Sequence, residues 1–229
     1  MEKKYIIILL IILIVIVLIA VFLPSKQKKD IKEELLGIDY KIEGNETKLE
    51  YDTENPVVAM YIEKYGSVVI ELYPDVAPNT VNNFISLVKS GFYDNNSFHR
   101  LVEGFVLQGG DPDGNGTGGP GYTIKGEFTN NGFKNDLKHE KGVVSMARSQ
   151  DNDSAGSQFF ICLGTASNLD GDYAAFGKVI DGYDVISTIE KNEVVADSSS
   201  GQLKNNLVLK KALVDLKGKE YSEVEKIEE

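Results

Sequence analysis

The hydrophobic positions of this chain change their spacing twice. Over residues 6–23 they are continuous, eighteen in a row, with Lys3 and Lys4 before them and Lys26, Lys28 and Lys29 after. As a helix this run spans about 27 Å at ~1.5 Å per residue, close to the ~30 Å hydrocarbon core of a bilayer. No face of it is polar, so it is expected to be a transmembrane helix left uncleaved in the mature protein. A cleaved signal peptide is the rival; against it stand the length of the run and the lack of a small-x-small pattern at residues 20–24. Both flanks are basic, so flanking charge does not choose an orientation. The preferred arrangement is single-pass in the cell membrane, the two-lysine end cytoplasmic and the rest extracytoplasmic. Residues 25–55 are polar and charge-mixed with little periodicity, and read as a juxtamembrane linker.

From residue 56 to 216 the apolar runs become short. Residues 57–63 and 67–73 read as a hairpin turning at Gly66. The span 79–90 has Val81, Phe84, Ile85 and Val88 at i, i+3, i+4 and i+7 with Gly91 as a stop, which predicts a helix buried on one face. Two short segments, 98–102 and 105–108, meet at Glu103-Gly104 and close on the pair Gly109-Gly110. Strands are predicted over 142–147, 158–163 and 174–180, a second helix over 183–191 with Val185, Ile186 and Ile189 inward, and a last strand over 206–216. Residues 217–229 form a charged tail, predicted to be a solvated helix or disordered. Roughly eight strands with two helices predict a mainly β fold, a sheet closed into a barrel with helices over its ends.

Composition narrows the function. A formal charge of −11 argues against nucleic acid, whose binders need a basic face. The one cysteine, Cys162, has no internal partner and sits in an apolar run, so a small buried hydrophobe is expected. Two histidines, no G-x-S-x-G elbow and no H-E-x-x-H pair leave neither a serine triad nor a zinc site in view. His99 is expected to pack or hydrogen-bond as a neutral ring. Residues 114–119 fit G-x-G-x-x-G, yet Pro120 and Gly121 follow where a dinucleotide fold opens a helix. Asp111, Asp113 and Asn115 start like a calcium loop whose twelfth position, Tyr122, is no ligand. A tight glycine loop remains. If Arg100 and Gln108 share a face beside Phe105 and Val106, they form one cation and one amide between apolar walls, a grip for something greasy with one polar end.

Phe98-His99-Arg100, Gly104-Phe105 with Gln108-Gly109-Gly110-Asp111, Asn115-Gly116-Thr117-Gly118-Gly119, Ser145-Met146-Ala147, Gly156-Ser157-Gln158-Phe159-Phe160-Ile161 and Leu169-Asp170-Gly171 together resemble the cyclophilin family of peptidyl-prolyl cis-trans isomerases. The motifs run in family order over residues 56–216. The resemblance implies a closed eight-stranded antiparallel β-barrel capped by two α-helices, with its site on the barrel's outside, and a membrane-anchored, bacterial-like member. It implies that Arg100 is the catalytic arginine, steadied by Gln108, with Phe105, Val106, Phe160 and Leu169 lining a proline pocket. Gln158 and the backbone at Ala147, Arg148 and Ser149 would bind the substrate chain, Gly116 would lie in the neighbouring loop, and His99 and Tyr173 at the rim. The implied partners are proline-containing polypeptide clients; neither a cofactor nor a metal is called for. Val106, Arg148 and Tyr173 depart from residues common in the family, and Asn168 stands where many members have the tryptophan that contacts cyclosporin, so weak cyclosporin binding is expected. A binding module with the same pocket, acting as chaperone or scaffold with turnover incidental, is the competing reading.

Overall fold

The computed structural model describes residues 38–43 and 46–228. The expected transmembrane helix at residues 6–23 lies outside them.

Thirteen strands, two α-helices and two short 3-10 turns are present among the described residues. A hairpin, β1 (Tyr40–Glu43) and β2 (Glu46–Leu49), precedes the barrel. The barrel strands are β3 (Val57–Ile62), β4 (Gly66–Leu72), β5 (Asn96–Val102), β6 (Val106–Asp111), β8 (Val143–Met146), β9 (Phe159–Cys162), β10 (Ala175–Asp181) and β12 (Gln202–Asp215). Between and beyond them come the short strands β7 (Tyr122–Thr123), β11 (Val195–Asp197) and β13 (Ile227–Glu228). The order β12-β3-β4-β10-β8-β9-β6-β5 closes on itself because β5 also pairs with β12, and every pairing is antiparallel. This is the eight-stranded barrel the sequence predicted, and closure leaves its strands without a free edge.

Helix α1 (Pro78–Lys89) and helix α2 (Tyr183–Asn192) cap the barrel. Val81, Phe84, Ile85 and Val88 are all buried, as their spacing required. Ala77 offers no side-chain cap at the start of α1. The buried Glu127 carboxylate does so from a distance, accepting the N–H of Asn79 (3.0 Å) and of Thr80 (2.7 Å). At the far end Gly91 takes φ 74°, the left-handed turn that stops a helix. Phe84 is central to the barrel core, with ring centroids 4.9 Å from Phe176, 5.2 Å from Tyr93 and 5.3 Å from Phe159. Truncating such a ring costs about 3–5 kcal/mol in typical cores.

Two segments depart from the expectation. Residues 38–43 and 46–49, expected within a polar linker, place β1 and β2 on the outer face of β3 and β4. Tyr40 and Leu49 are buried there against Val57, Ala59 and Val69. The hairpin is tied down by Asp215, which accepts the Leu49 N–H at 2.9 Å, and by Lys217 Nζ, which donates to the Leu49 and Tyr51 carbonyls. The tail after β12 is neither a solvated helix nor a disordered end through residue 228. It is an extended strap whose Tyr221 and Val224 pack against the core, and β13 pairs with β7.

Candidate active site

Alternation along β5 alone would put Arg100 inside the barrel. Phe98 is in the core, so His99 would point out and Arg100 in. The register prevents this. Phe98 opposes Gly109 and Arg100 opposes Gln108, so two steps on β5 match one on β6, and His99 is the extra residue of a bulge. Past it the phase is reset, Leu101 returns to the core, and Arg100 stands outside. Gly109 makes the bulge possible. A Cβ there would lie 2.7 Å from the Phe98 ring and 2.9 Å from the Ser97 carbonyl. Gly110 beside it holds φ 82°.

Register then carries a row of residues across the barrel's outer face. Arg100 opposes Gln108, Gln108 opposes Phe160, and Phe160 opposes Ser145. Strands lie ~4.8 Å apart, so Arg100 and Phe160 are about 10 Å apart at the backbone. One step along, Val106 opposes Cys162. Val106, Phe160, Cys162, Ala166 and Leu169 form a small apolar cluster of their own, with Phe105, Ala147 and Tyr173 packed at its margin. It is separate from the barrel interior and holds every apolar residue the sequence assigned to the pocket. Ala166 was not foreseen. Cys162 is fully buried in it, and burial pushes its thiol up to about 12.

Arg100 is held by neutral oxygens. Its Nε donates to the Ser200 carbonyl at 2.7 Å and its Nη1 to Gln108 Oε1 at 3.2 Å. Gln108 Nε2 donates to Gln158 Oε1 (3.1 Å), and Gln158 Nε2 to the Gly118 carbonyl (2.9 Å). Among the described residues no carboxylate forms an ion pair with Arg100. Burial lowers its pKa from the ordinary 12.5, Tyr173 opposes the shift, and a guanidinium stays charged at neutral pH. Ser200 lies between the predicted helix at 183–191 and the predicted strand at 206–216, and nothing in the sequence there announces a contact made through a backbone carbonyl.

Other residues are placed differently from expectation. His99 is buried at 4% exposure rather than at the rim, its Nε2 toward Gly116 in the glycine loop. Burial lowers its pKa, keeping the ring neutral. Arg148 is more than a main-chain contact. Its guanidinium lies 4.8 Å from the Tyr173 ring centroid and 5.1 Å from that of Phe128, and its Nε donates to the Asp172 carbonyl. Tyr173 in turn meets Phe160 edge-on at 5.8 Å. The Ala147 N–H donates to the Gln158 carbonyl and the Ser149 N–H to Ser154 Oγ. Asp111 explains the calcium-like pattern. Its carboxylate accepts backbone N–H groups from Asp113, Asn115, Gly116 and Gly118, folding the glycine loop around itself.

Behind Phe160 lies a polar group the sequence did not reveal. His139 Nδ1 bonds Asp170 Oδ1 at 3.0 Å, its Nε2 bonds Ser145 Oγ at 3.0 Å, and its ring stacks on Phe160 at 6.0 Å. The connectivity is that of a hydrolase triad. Ser145 is 0% exposed, however, so its hydroxyl meets no substrate and the trio serves as a backing for Phe160.

An apolar cluster on the outside of a closed barrel, with an arginine held by neutral oxygens beside it, is suited to gripping an apolar group that has one polar end. Comparison with known proteins agrees. The family described as cyclophilin type peptidyl-prolyl cis-trans isomerase/CLD matches residues 57–214. The chain is 44% identical over 136 residues to peptidyl-prolyl cis-trans isomerase B of Bacillus subtilis, covering 59% of this chain and 92% of that one. It is 42% identical over 132 residues to a peptidyl-prolyl cis-trans isomerase of Helicobacter pylori, covering 57% and 78%. A crystal structure of a Cryptosporidium parvum cyclophilin-type isomerase, obtained in the presence of the dipeptide Ala-Pro, superposes with a TM-score of 0.61. It is 33% identical, covering 69% of this chain and 98% of that one. The chain belongs to the cyclophilin-type peptidyl-prolyl cis-trans isomerases.

The titrating groups fix how stability varies with pH. Burial is the first cause holding both His99 and His139 below the ordinary 6.5. A histidine that binds its proton more weakly when folded costs stability once the unfolded chain protonates, below about 6.5. Burial alone would raise Asp111, Asp170 and Asp215, but hydrogen bonds outweigh it and hold all three below 3.8. Their contribution is present above that value and lost as pH falls through the lower folded ones. Urea melts are therefore expected to give constant stability between about pH 7 and 8, a gentle decline below about 6.5 and a steep one below about 4. Stability rising between pH 6.5 and 5 would contradict this placement.

Proposed function

We propose that Arg100 lowers the barrier of this isomerase by preferring the twisted X-Pro amide over either planar form. The supporting observation is the row Arg100, Gln108, Phe160 on one outer face, with the guanidinium held by two neutral oxygens. A planar amide resists rotation by roughly 18–20 kcal/mol because resonance is lost on twisting. Twisting leaves a lone pair on the prolyl nitrogen. A cation aimed at that nitrogen, or at the preceding carbonyl, interacts better with the twisted state than with the ground states. A charge-assisted hydrogen bond is worth about 1.5–3 kcal/mol, or roughly ten- to a hundredfold in rate. Phe105, Val106, Phe160 and Leu169 supply the rest by holding the ring while the preceding residue turns. No proton is transferred.

The substrates on this reading are proline-containing segments of exported polypeptides, and residues 6–23 tether the domain to the cell membrane. Asn168, exposed on the turn Ser167–Leu169 beside the pocket, offers cyclosporin no indole. Asn168→Trp is expected to strengthen inhibition by cyclosporin several-fold without changing turnover; unchanged inhibition would discount that position.

In a proline-limited refolding assay, Arg100→Ala is expected to lose about ten- to a hundredfold in kcat/KM. Arg100→Lys should recover little of it, because an ammonium does not reproduce the fork that spans Ser200 and Gln108. Full rate in both variants would leave a binding module whose turnover is incidental. Protease added to intact cells should degrade the barrel domain if it is extracytoplasmic. Protection that persists until the cells are lysed would put it on the other side.

A further inference from the structure

The chain past the family-matched region returns to the groove. Beyond β12 the strap reaches the first turn of α1, where Asn79 Oδ1 accepts the Glu225 N–H at 2.9 Å and Asn79 Nδ2 donates to the Glu225 carbonyl at 2.9 Å. One side-chain amide thus imitates the edge of a strand. Two residues on, Ile227 pairs with Thr123 and Glu228 with Tyr122, and Lys226 Nζ lies 4.3 Å from the Tyr122 ring centroid. Among the described residues β7 has no other strand partner. The next residue, Ile124, is buried and its N–H bonds to the Ala155 carbonyl, so β7 is anchored at that end, and β13 is the strand that pairs with the two residues after the Gly-Pro-Gly at 119–121.

Tyr122 and Thr123 line a cavity of about 390 Å³ together with Gln108, Gln158, Gly118 and Ala147. Gln108 and Gln158 continue the hydrogen-bond chain from Arg100, so this cavity extends the proline slot. Tyr122 also donates its hydroxyl to Asn83 Oδ1 (2.8 Å), and Asn83 Nδ2 donates to the Gly156 carbonyl (2.7 Å), two residues before Gln158. The wall facing the substrate chain therefore has a continuous path of bonds back to the strap. None of the apolar slot residues lies on that path.

We infer that the strap is a positioning element for the extended groove: by pairing with β7 it fixes the wall that receives residues flanking the proline, and so sets affinity for long peptide segments and not for the proline itself. A wall ordered in advance spares the peptide the entropy of ordering it. The inference rests on the isomerase reading of the same slot, and its ligand is an extended polypeptide segment several residues long.

The test compares the full chain, a variant ending at Lys219 and Asn79→Ala, which loses both bonds to Glu225. Cis–trans exchange is followed by NMR on a blocked Ala-Pro dipeptide and on peptides with the same core extended by three residues on either side. Amide exchange at Tyr122 and Thr123 and thermal melting report whether the strap is released while the barrel stays folded. Expected are a three- to tenfold rise in KM for at least one extended peptide, unchanged kcat, and an unchanged kcat/KM for the dipeptide, with a smaller effect in Asn79→Ala. Unchanged KM with the strap released would overturn the inference. So would equal losses on the dipeptide and the extended peptides, the signature of a merely structural role. If the truncated chain does not fold, Asn79→Ala decides by the same readings. No turnover of the dipeptide by the unaltered chain would count against the slot itself, a separate failure.

Discussion

One extra residue in β5 governs the geometry of this molecule. With strict alternation, Phe98 in the core would put Arg100 in the core as well, a buried cation whose desolvation would have to be offset by a partner. His99, as the bulged residue, shifts the phase by one, so Phe98 and Leu101 both face inward and Arg100 faces outward. The same offset sets Arg100 opposite Gln108, and from there the row across β6, β9 and β8 follows from register alone. The contact between His99 and the glycine loop is its corollary, since the displaced ring fills the space beneath Gly116.

Besides the patch under the β1–β2 hairpin, the barrel has two apolar regions with different duties. The interior, built around Phe84, Phe159 and Phe176, holds the fold together. The outer cluster around Phe160 leaves Phe105, Ala147 and Tyr173 partly exposed, and so keeps apolar surface available to a ligand. Its back is polar and satisfied. His139 bonds both Asp170 and Ser145, and burial keeps it neutral, so Phe160 stacks on a ring that does not change charge near pH 7. Arg148 does the corresponding work at the margin, its guanidinium within 5.1 Å of the Phe128 ring centroid and 4.8 Å of that of Tyr173.

The barrel and the slot were legible because their residues sit in local patterns: strand runs ended by glycine, the α1 periodicity, and motifs in order. What escaped depends on partners far along the chain. The sequence Tyr40-Lys41-Ile42-Glu43 looks like a charged linker until Val57, Ala59 and Val69 supply a surface for Tyr40 and Leu49. Residues 217–229 look like a charged tail, a solvated helix or disorder, but the chain runs extended because α1 and β7 offer it partners. The family resemblance puts His99 at the rim, and alternation by itself announces no bulge that would turn it inward. Arg148 was judged by its backbone, and its side chain turned out to matter. Ser200 acts through a carbonyl, which every residue has.

The contact between Arg100 and the Ser200 carbonyl joins positions one hundred residues apart, and β5 finds its second neighbour only in β12. A ribosome therefore releases the cation long before the backbone that aims it. During synthesis the polypeptide passes through a stage with most of its strands made, its charged group unaimed and its sheet still open along one seam. A chain interrupted before β12 would lack both the partner that closes that seam and the carbonyl that holds Arg100.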